Sequence, residues 1–303
     1  ETYVNKHYVQ ADIKILTGLV ESHFMAGASG GRKSICPGLV GEKGTYIFHS
    51  APILASPNAR DLVLSGNPCH EEALEIAQMA GADFIVNVTL DHSFRVTGVY
   101  AGDLVKAHEK AVEKIKKDVA IPIDTEYDIV ITHAGFVGIN HYQAAKVGTC
   151  AIPVVKSTGK LVVIANTTDT DPVGSHLYKT VLHLLKLIGP ERFNRLIQSP
   201  DWTFIPEQWQ VQMWAKLFSK LPMENFIYYS PQFEAKDYEI IPGTDGNMFL
   251  PDDLKYRHSF QAGAHVIENV IKETVAELKR NGQQEVRIAY MSDGPYGIPI
   301  RNC

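Results

Sequence analysis

The segment Glu21–Gly38, ESHFMAGASGGRKSICPG, gathers several kinds of chemistry in one short stretch. It holds a histidine (His23), a glycine-rich turn (Gly27, Gly30, Gly31), a basic pair (Arg32, Lys33) and a proline (Pro37). A second histidine, His49, closes the next apolar run, YIFHS. Imidazole titrates near neutrality and can take and return a proton. A lysine ε-amine is a nucleophile once deprotonated, and neutral imidazole is a good metal ligand. Glycines let the backbone approach a ligand and present N–H groups to phosphate or carboxylate, while Arg32 and Lys33 add positive charge. The run GGRKS is a near miss to a phosphate-binding P-loop, but Arg32 separates the glycine from the lysine, so an ATPase of that type is rejected. The plain alternative for the loop is a glycine-rich surface turn with solvated charges. For each histidine it is a satisfied structural side chain.

A second set of residues follows the strand-like run DIVITHAG. It is NHYQAAKVG, Asn140–Gly148. A helix starting near Asn140 places Tyr142 and Lys146 four residues apart on one face, with Gln143 beside them. Trp209, in EQWQVQMW, is a candidate pocket-wall aromatic. An ordinary amphipathic face explains Tyr142 and Lys146 equally well, and Trp209 with Trp214 suits core packing or a lid.

The first segment resembles the signature of the nickel-dependent lactate racemase family. Members carry a run close to HFFAGFSGGRKSILPG, and this chain has HFMAGASGGRKSICPG. The interval of ten from His23 to Lys33, and the further sixteen to His49, match as well. NHYQAAKVG is similar to the family's NLYQAQKA. The resemblance implies a racemase or epimerase, an isomerase acting on small 2-hydroxy acids by hydride transfer. It implies a nickel pincer nucleotide, a pyridinium mononucleotide with two sulfur-bearing arms and a nickel–carbon bond, made by separate maturation enzymes. In the family the lysine matching Lys33 is joined to that cofactor as a thioamide. The histidine matching His49 supplies a nickel ligand, and the one matching His23 is one of two bases. Gly30, Gly31 and Arg32 are then expected beside the cofactor. Tyr142, Gln143, Lys146 and Trp209 are expected about the substrate, with Lys146 the partner of a carboxylate or phosphate. The chemistry agrees: nickel(II) favours planar sulfur, carbon and imidazole donors, and the cofactor carries the difficult step while the protein orients it.

The sequence also departs from the family. AGFVG stands where members often read GGYPLD, and ANTTDTDPVGSH (Ala165–His176) differs from their Glu-Cys and glycine-rich wording. Both stretches are expected at the cleft, so other 2-hydroxy acids are as plausible as lactate. The family's upstream half, with an Asp-Asp-x-Thr-Arg-like motif and a second catalytic histidine in a Gly-Leu-His-Arg-like run, has no counterpart in these residues. ETYVNKHYVQADIKI aligns instead with the middle of the family's first domain, so a fragment or processed chain is expected. Two other readings stay open. One is an inactive fragment or an anion- or nucleotide-binding module. The other is a zinc-dependent hydrolase or lyase using His23, His49 and a third protein ligand.

The elements that must position these residues are strands alternating with helices. Strand-like runs are ADIKILTGLV, GTYIFHS, ADFIVNVTLD, DIVITHAG, LVVIANT, FIYYSP and EVRIAYM. Helices are CHEEALEIAQMAG, stopping on Gly81, GDLVKAHEKAVEKIKKDV, and HVIENVIKETVAELKRNG, stopping on Gly282, with a long helical middle over Ser175–Leu221. The alternation predicts an α/β protein of two α/β domains with largely parallel sheets and an active-site cleft between them. Residues 1–122 form the remainder of an N-terminal cofactor-binding domain and 123–303 a C-terminal domain. At 303 residues, 45% hydrophobic and 21% charged, the chain can bury proper cores. A net charge of −5 argues against general nucleic-acid binding. No apolar run reaches the roughly 20 residues that span a bilayer. Cys36, Cys69, Cys150 and Cys303 lack any paired metal spacing and suggest a reducing compartment, so a cytoplasmic location is expected. Cys36 reads as a small buried residue. The other histidines read as structural, with His92 and His133, which follow strands, the first to reconsider.

Overall fold

The alternating runs fold into two compact units, Glu1–Ala120 and Ile121–Cys303, divided at 120/121 where the sequence suggested 122/123. The computed structural model describes residues 2–301, and Cys303 lies outside the described residues.

In the first unit β1 (Ile15–Leu19), β2 (Phe84–Leu90) and β3 (Val96–Gly102) form a three-stranded sheet. The central β2 runs parallel to β1 and antiparallel to β3. β3 is absent from the expected strands. Its VTGVYAG is glycine-rich, and its extended form comes from pairing with β2.

GTYIFHS, expected as a strand, is a helix, α1 (Glu42–Phe48), with His49 as its C-cap. Its buried residues, Gly44 and Phe48, are four apart, the spacing of one helical face. A short apolar run does not by itself distinguish the two conformations. Helix α2 (Pro68–Ala80) is capped by Asn67, whose side chain accepts from Cys69 N, and it stops on Gly81 at φ +75° as expected. Helix α3 (Lys106–Val119) buries Ala107, His108, Ala111, Val112 and Ile115, one amphipathic stripe.

The second unit is built on five strands: β4 (Tyr127–His133), β5 (Val155–Ile164), β6 (Phe226–Tyr229), β7 (Thr244–Asp245) and β8 (Ile288–Met291). Their order is β7-β6-β5-β4-β8, and each adjacent pair is parallel. The chain steps outward from β4 to β7, then returns to add β8 on the other side of β4. The carboxyl ends of β4 and β8 therefore meet where the winding reverses, the place where open α/β sheets carry ligand-binding loops. Helix α4 (His141–Ala151) follows β4 there, and Asn140 Oδ1 caps it by accepting from Gln143 N at 2.8 Å.

His133, the last residue of β4, has a structural role. Its Nε2 donates to Ser292 O at 2.8 Å and its Nδ1 accepts from Gly135 N at 3.1 Å, so it ties β4 to the segment after β8.

The expected helical middle is three helices, α5 (His176–Ile188), α6 (Pro190–Ile197) and α7 (Gln208–Phe218), interrupted at Gly189 and over 198–207. Helix α8 (Phe260–Arg280) lays Ala262, Val266 and Val270 on Ile129, Ile131, Val162, Ile227 and Tyr229 of the sheet. Among the described residues no helix is long and apolar enough to cross a membrane.

Helices α4 and α7 approach closely. A Cβ at Gly148 would stand 2.6 Å from Cζ3 of Trp214, a fully buried residue. Trp214 is thus a core side chain, while Trp209 is only half-buried. The contact predicts that Gly148→Ala destabilises the protein by about 1–3 kcal/mol through overpacking. Urea unfolding followed by tryptophan fluorescence checks this, and an unchanged midpoint refutes it.

Candidate functional site

The glycine-rich segment begins as a tight antiparallel pairing of Ser22–His23 with Gly27–Ala28 and ends in a short 3₁₀ turn, Gly31–Ser34. His23 is half-buried on the first arm. Its Nδ1 accepts from Met25 N at 3.2 Å and Ala26 N at 3.1 Å. A backbone amide can only donate, so the neutral ring carries its proton on Nε2.

Gly31 adopts φ +51°, and a Cβ there would stand 2.8 Å from Cγ and Cδ2 of His108. Its N–H was expected to face a ligand. It donates instead to Oδ1 of the buried Asn87, at 2.9 Å.

Arg32 was likewise expected to place its charge at the ligand. The residue is 1% exposed, with Nη2 donating to Ala26 O at 2.7 Å and Nη1 lying 3.0 Å from His108 Nε2. Its neighbours take up that side of the turn, and burial brings its pKa down to about 10. Cys36 is also buried, and burial with the Glu72 charge pushes its thiol up to about 11, so it is inert at neutral pH.

Lys33 and His49 come together. Lys33 Nζ lies 6.0 Å from the centroid of the Phe48 ring, and the lysine charge acts on His49. Phe48 meets the His49 ring edge-on at 4.6 Å. His49 Nδ1 is 2.9 Å from Thr45 O, and a carbonyl only accepts, so Nδ1 carries the hydrogen and Nε2 the lone pair. Burial, with Lys33 adding to it, lowers the His49 pKa to about 4, so the ring is neutral at physiological pH. A histidine whose other N–H is held by a backbone carbonyl is the usual form of a metal-ligating imidazole. Beside it stands a lysine amine. This donor set fits a metal-bearing group tethered at Lys33. A zinc site made of protein ligands alone needs a third side chain, and among the described residues no three His, Cys, Asp or Glu converge.

In the second unit Trp209 Nε1 donates to Tyr142 OH at 2.9 Å, and Gln210 Nε2 to Tyr142 O at 2.7 Å. The structure therefore brings Tyr142 and Trp209 into direct contact. Burial pushes the Tyr142 hydroxyl up to about 12, so it stays protonated. Gln143 and the half-buried Lys146 share helix α4 with Tyr142. Behind them Tyr142 packs edge-on against Tyr178 at 5.2 Å.

Sequence reasoning missed Asn87 and assigned His108 no part in the site. The one signal for Asn87 was its amide in the largely apolar, β-branched run FIVNVTL. His108 shows none, since its stripe position also suits a core residue.

Residues 1–61 match the Lactate racemase N-terminal domain family. A lactate racemase from Lactiplantibacillus plantarum is 35% identical over 217 residues, 71% of this chain and 50% of that protein. One from Thermoanaerobacterium thermosaccharolyticum is 32% identical over 282 residues, 91% of this chain and 63% of that protein. The chain thus spans between half and two-thirds of the length of these relatives. Its fold superposes on the lactate racemase apoprotein of T. thermosaccharolyticum with a TM-score of 0.81 at 24% identity, covering 99% of this chain and 65% of the other. A Thermotoga maritima protein superposes with a TM-score of 0.61 at 15% identity, covering 99% and 70%.

The buried polar floor of the turn has a consequence for stability. Burial, then the Arg32 charge, lowers the His108 pKa to about 3. The unfolded chain takes up the same proton near pH 6.5, so between these values it binds more protons than the folded one. Stability is therefore predicted to hold above about pH 6.5 and to fall below it, His108 contributing about 1.4 kcal/mol per pH unit. Urea midpoints at pH 7 and pH 5 check this. The loss is expected to be shallower in His108→Gln, and an equal loss in both proteins contradicts the assignment.

Proposed function

The chain belongs to the lactate racemase-like family, and from that premise we propose that it serves the racemisation of a small 2-hydroxy acid of the lactate type by hydride transfer, using a nickel pincer nucleotide tethered to Lys33. The observation that carries this reading is the pairing of Lys33 with a neutral His49 whose Nε2 bears the lone pair. Lys33 would hold the nucleotide through its ε-amine and His49 would ligate the nickel. When bound, the group supplies an acceptor and donor for hydride.

The substrate carbon gives up hydrogen with its electron pair, the hydroxyl proton goes to a base, and a flat keto acid remains. Return of the hydride to the opposite face of that carbon, and of the proton to the oxygen, inverts the centre with no net oxidation. His23 is the proposed base. In the form seen, Nε2 carries the proton and Nδ1 is held by two amides, and the ring returns a proton to the keto oxygen only from the imidazolium that forms once it has taken the hydroxyl proton. Accepting the hydroxyl proton at Nε2 requires the other tautomer, and hence release of the amides of Met25 and Ala26.

In the second unit the Lys146 ammonium suits a substrate carboxylate. Tyr142, protonated and fixed by Trp209, offers a neutral hydroxyl, and Gln143 an amide. Among the described residues Cys36, Cys69 and Cys150 are buried and form no disulfide, which supports a reducing, cytoplasmic setting.

The test is intact mass, peptide mapping around Lys33 and a nickel assay, on protein from cells that make the cofactor. A mass excess confined to the Lys33 peptide, with stoichiometric nickel, is expected, and both are lost in Lys33→Ala. His49→Ala should keep the adduct and weaken nickel retention by at least about tenfold. An unmodified Lys33 without nickel, in cells that load a known family member, overturns the reading.

A further inference from the structure

The turn that carries Lys33 is gripped from beneath by two side chains that belong to no motif. Asn87 comes from the middle of β2, is fully buried, and accepts the Gly31 N–H at 2.9 Å. His108 comes from the first turn of α3 and is 2% exposed. Its Nε2 lies 2.8 Å from Ser29 O and 3.0 Å from Arg32 Nη1. Its ring fills the space where a Gly31 side chain would stand. A strand and a helix thus hold residues 29, 31 and 32, the stretch leading directly into Lys33.

Ordinary packing does not account for this arrangement, because it keeps several costly groups in one place. Arg32 is a buried cation, and its burial lowers its pKa to about 10. Among the described residues its Nε has no hydrogen-bond partner, nor do Asn87 Nδ2 and His70 Nδ1. Each such unmade bond leaves the desolvation cost of a buried polar group uncompensated. His108 Nε2 faces a carbonyl that needs a donor and a guanidinium that needs an acceptor, and a neutral ring can serve one of them at a time. Leucine at residue 87 would remove the unpaired Nδ2, but it would also leave the Gly31 N–H without its acceptor. Buried polar networks of this kind specify one arrangement of the backbone at the expense of stability.

We propose that Asn87 and His108 are positioning residues for Lys33. They clamp the 29–32 backbone so that the ε-amine stands beside the Phe48 ring and His49. Neither touches the reacting atoms. The inference rests on Lys33 as the attachment point proposed above.

The test compares Asn87→Asp, which keeps an oxygen acceptor for Gly31 N–H, with Asn87→Leu, which removes it. Two quantities are read: amide hydrogen exchange at Gly31, and the fraction of chains carrying the Lys33 adduct in cofactor-producing cells. Thermal melting confirms that each variant is folded. Asn87→Leu is expected to exchange Gly31 about tenfold faster, the loss of one hydrogen bond, and to carry several-fold less adduct. Asn87→Asp is expected to match the wild type in both. Should Asn87→Leu not fold, His108→Ala against His108→Gln carries the same comparison, read at Ser29 and Gly31.

A merely structural role would lower the melting temperature and leave adduct and exchange in the surviving folded protein unchanged. That result overturns the proposal, as does an Asn87→Asp chain as poorly loaded as Asn87→Leu. A wild type without adduct sinks the cofactor reading instead. Exchange at Gly31 then decides the clamp by itself, and equal rates in wild type and Asn87→Leu refute it.

Discussion

Residue 31 can only be a glycine, because the ring of His108 lies where any side chain would be. That close approach organises the first unit. It lets Asn87 reach the Gly31 amide, draws Arg32 down into the interior, and turns the chain so that Lys33 emerges on the side of Phe48 and His49. A cation buried under a turn is expensive, and the surroundings hold both neighbouring histidines neutral: burial lowers His70 to about 4 and His108 to about 3. The positive charge of Arg32 is thus kept in place without adding another beside it.

The second unit solves a related problem with aromatic rings. His141 is completely buried at the start of α4, and burial lowers its pKa to about 3. Its Nδ1 is 2.8 Å from Tyr178 OH, and the same hydroxyl accepts from Trp214 Nε1 at 2.9 Å. One phenol therefore connects α4, α5 and α7. Tyr142 rests on Tyr178 and receives the Trp209 indole, so the candidate substrate residues sit on a layer in which His141 Nδ1, Tyr178 OH and Trp214 Nε1 are committed to each other. Rigid backing of this kind is what a binding constellation needs if its geometry is to be reproducible.

Much of the local structure was legible. The cap signals at Asn140 and Gly81 and the stripe of α3 are short-range features, and each marks a real element. The GTYIFHS run misled because seven residues carry too little periodicity to separate a strand from two helical turns, and burial of Gly44 and Phe48 decided for the helix. β3 was invisible because its conformation depends on a neighbour. Gly30, Gly31 and Arg32 were expected beside the cofactor from residue type and from the family resemblance. For Gly31 and Arg32 the three-dimensional neighbours are Asn87 and His108, distant in sequence.

The sequence by itself determined the α/β alternation, the helix ends and the two stretches that carry reactive side chains. These depend on backbone propensity and on spacings within a few turns, which the chain encodes locally. The tertiary structure decided which nitrogen of His23 and His49 bears the proton, that Arg32 lies inside, and that Lys33 stands beside His49. Those outcomes depend on partners brought together by packing. Hydrogen-bond direction and desolvation are properties of a surrounding, and no residue carries its surrounding in its own type.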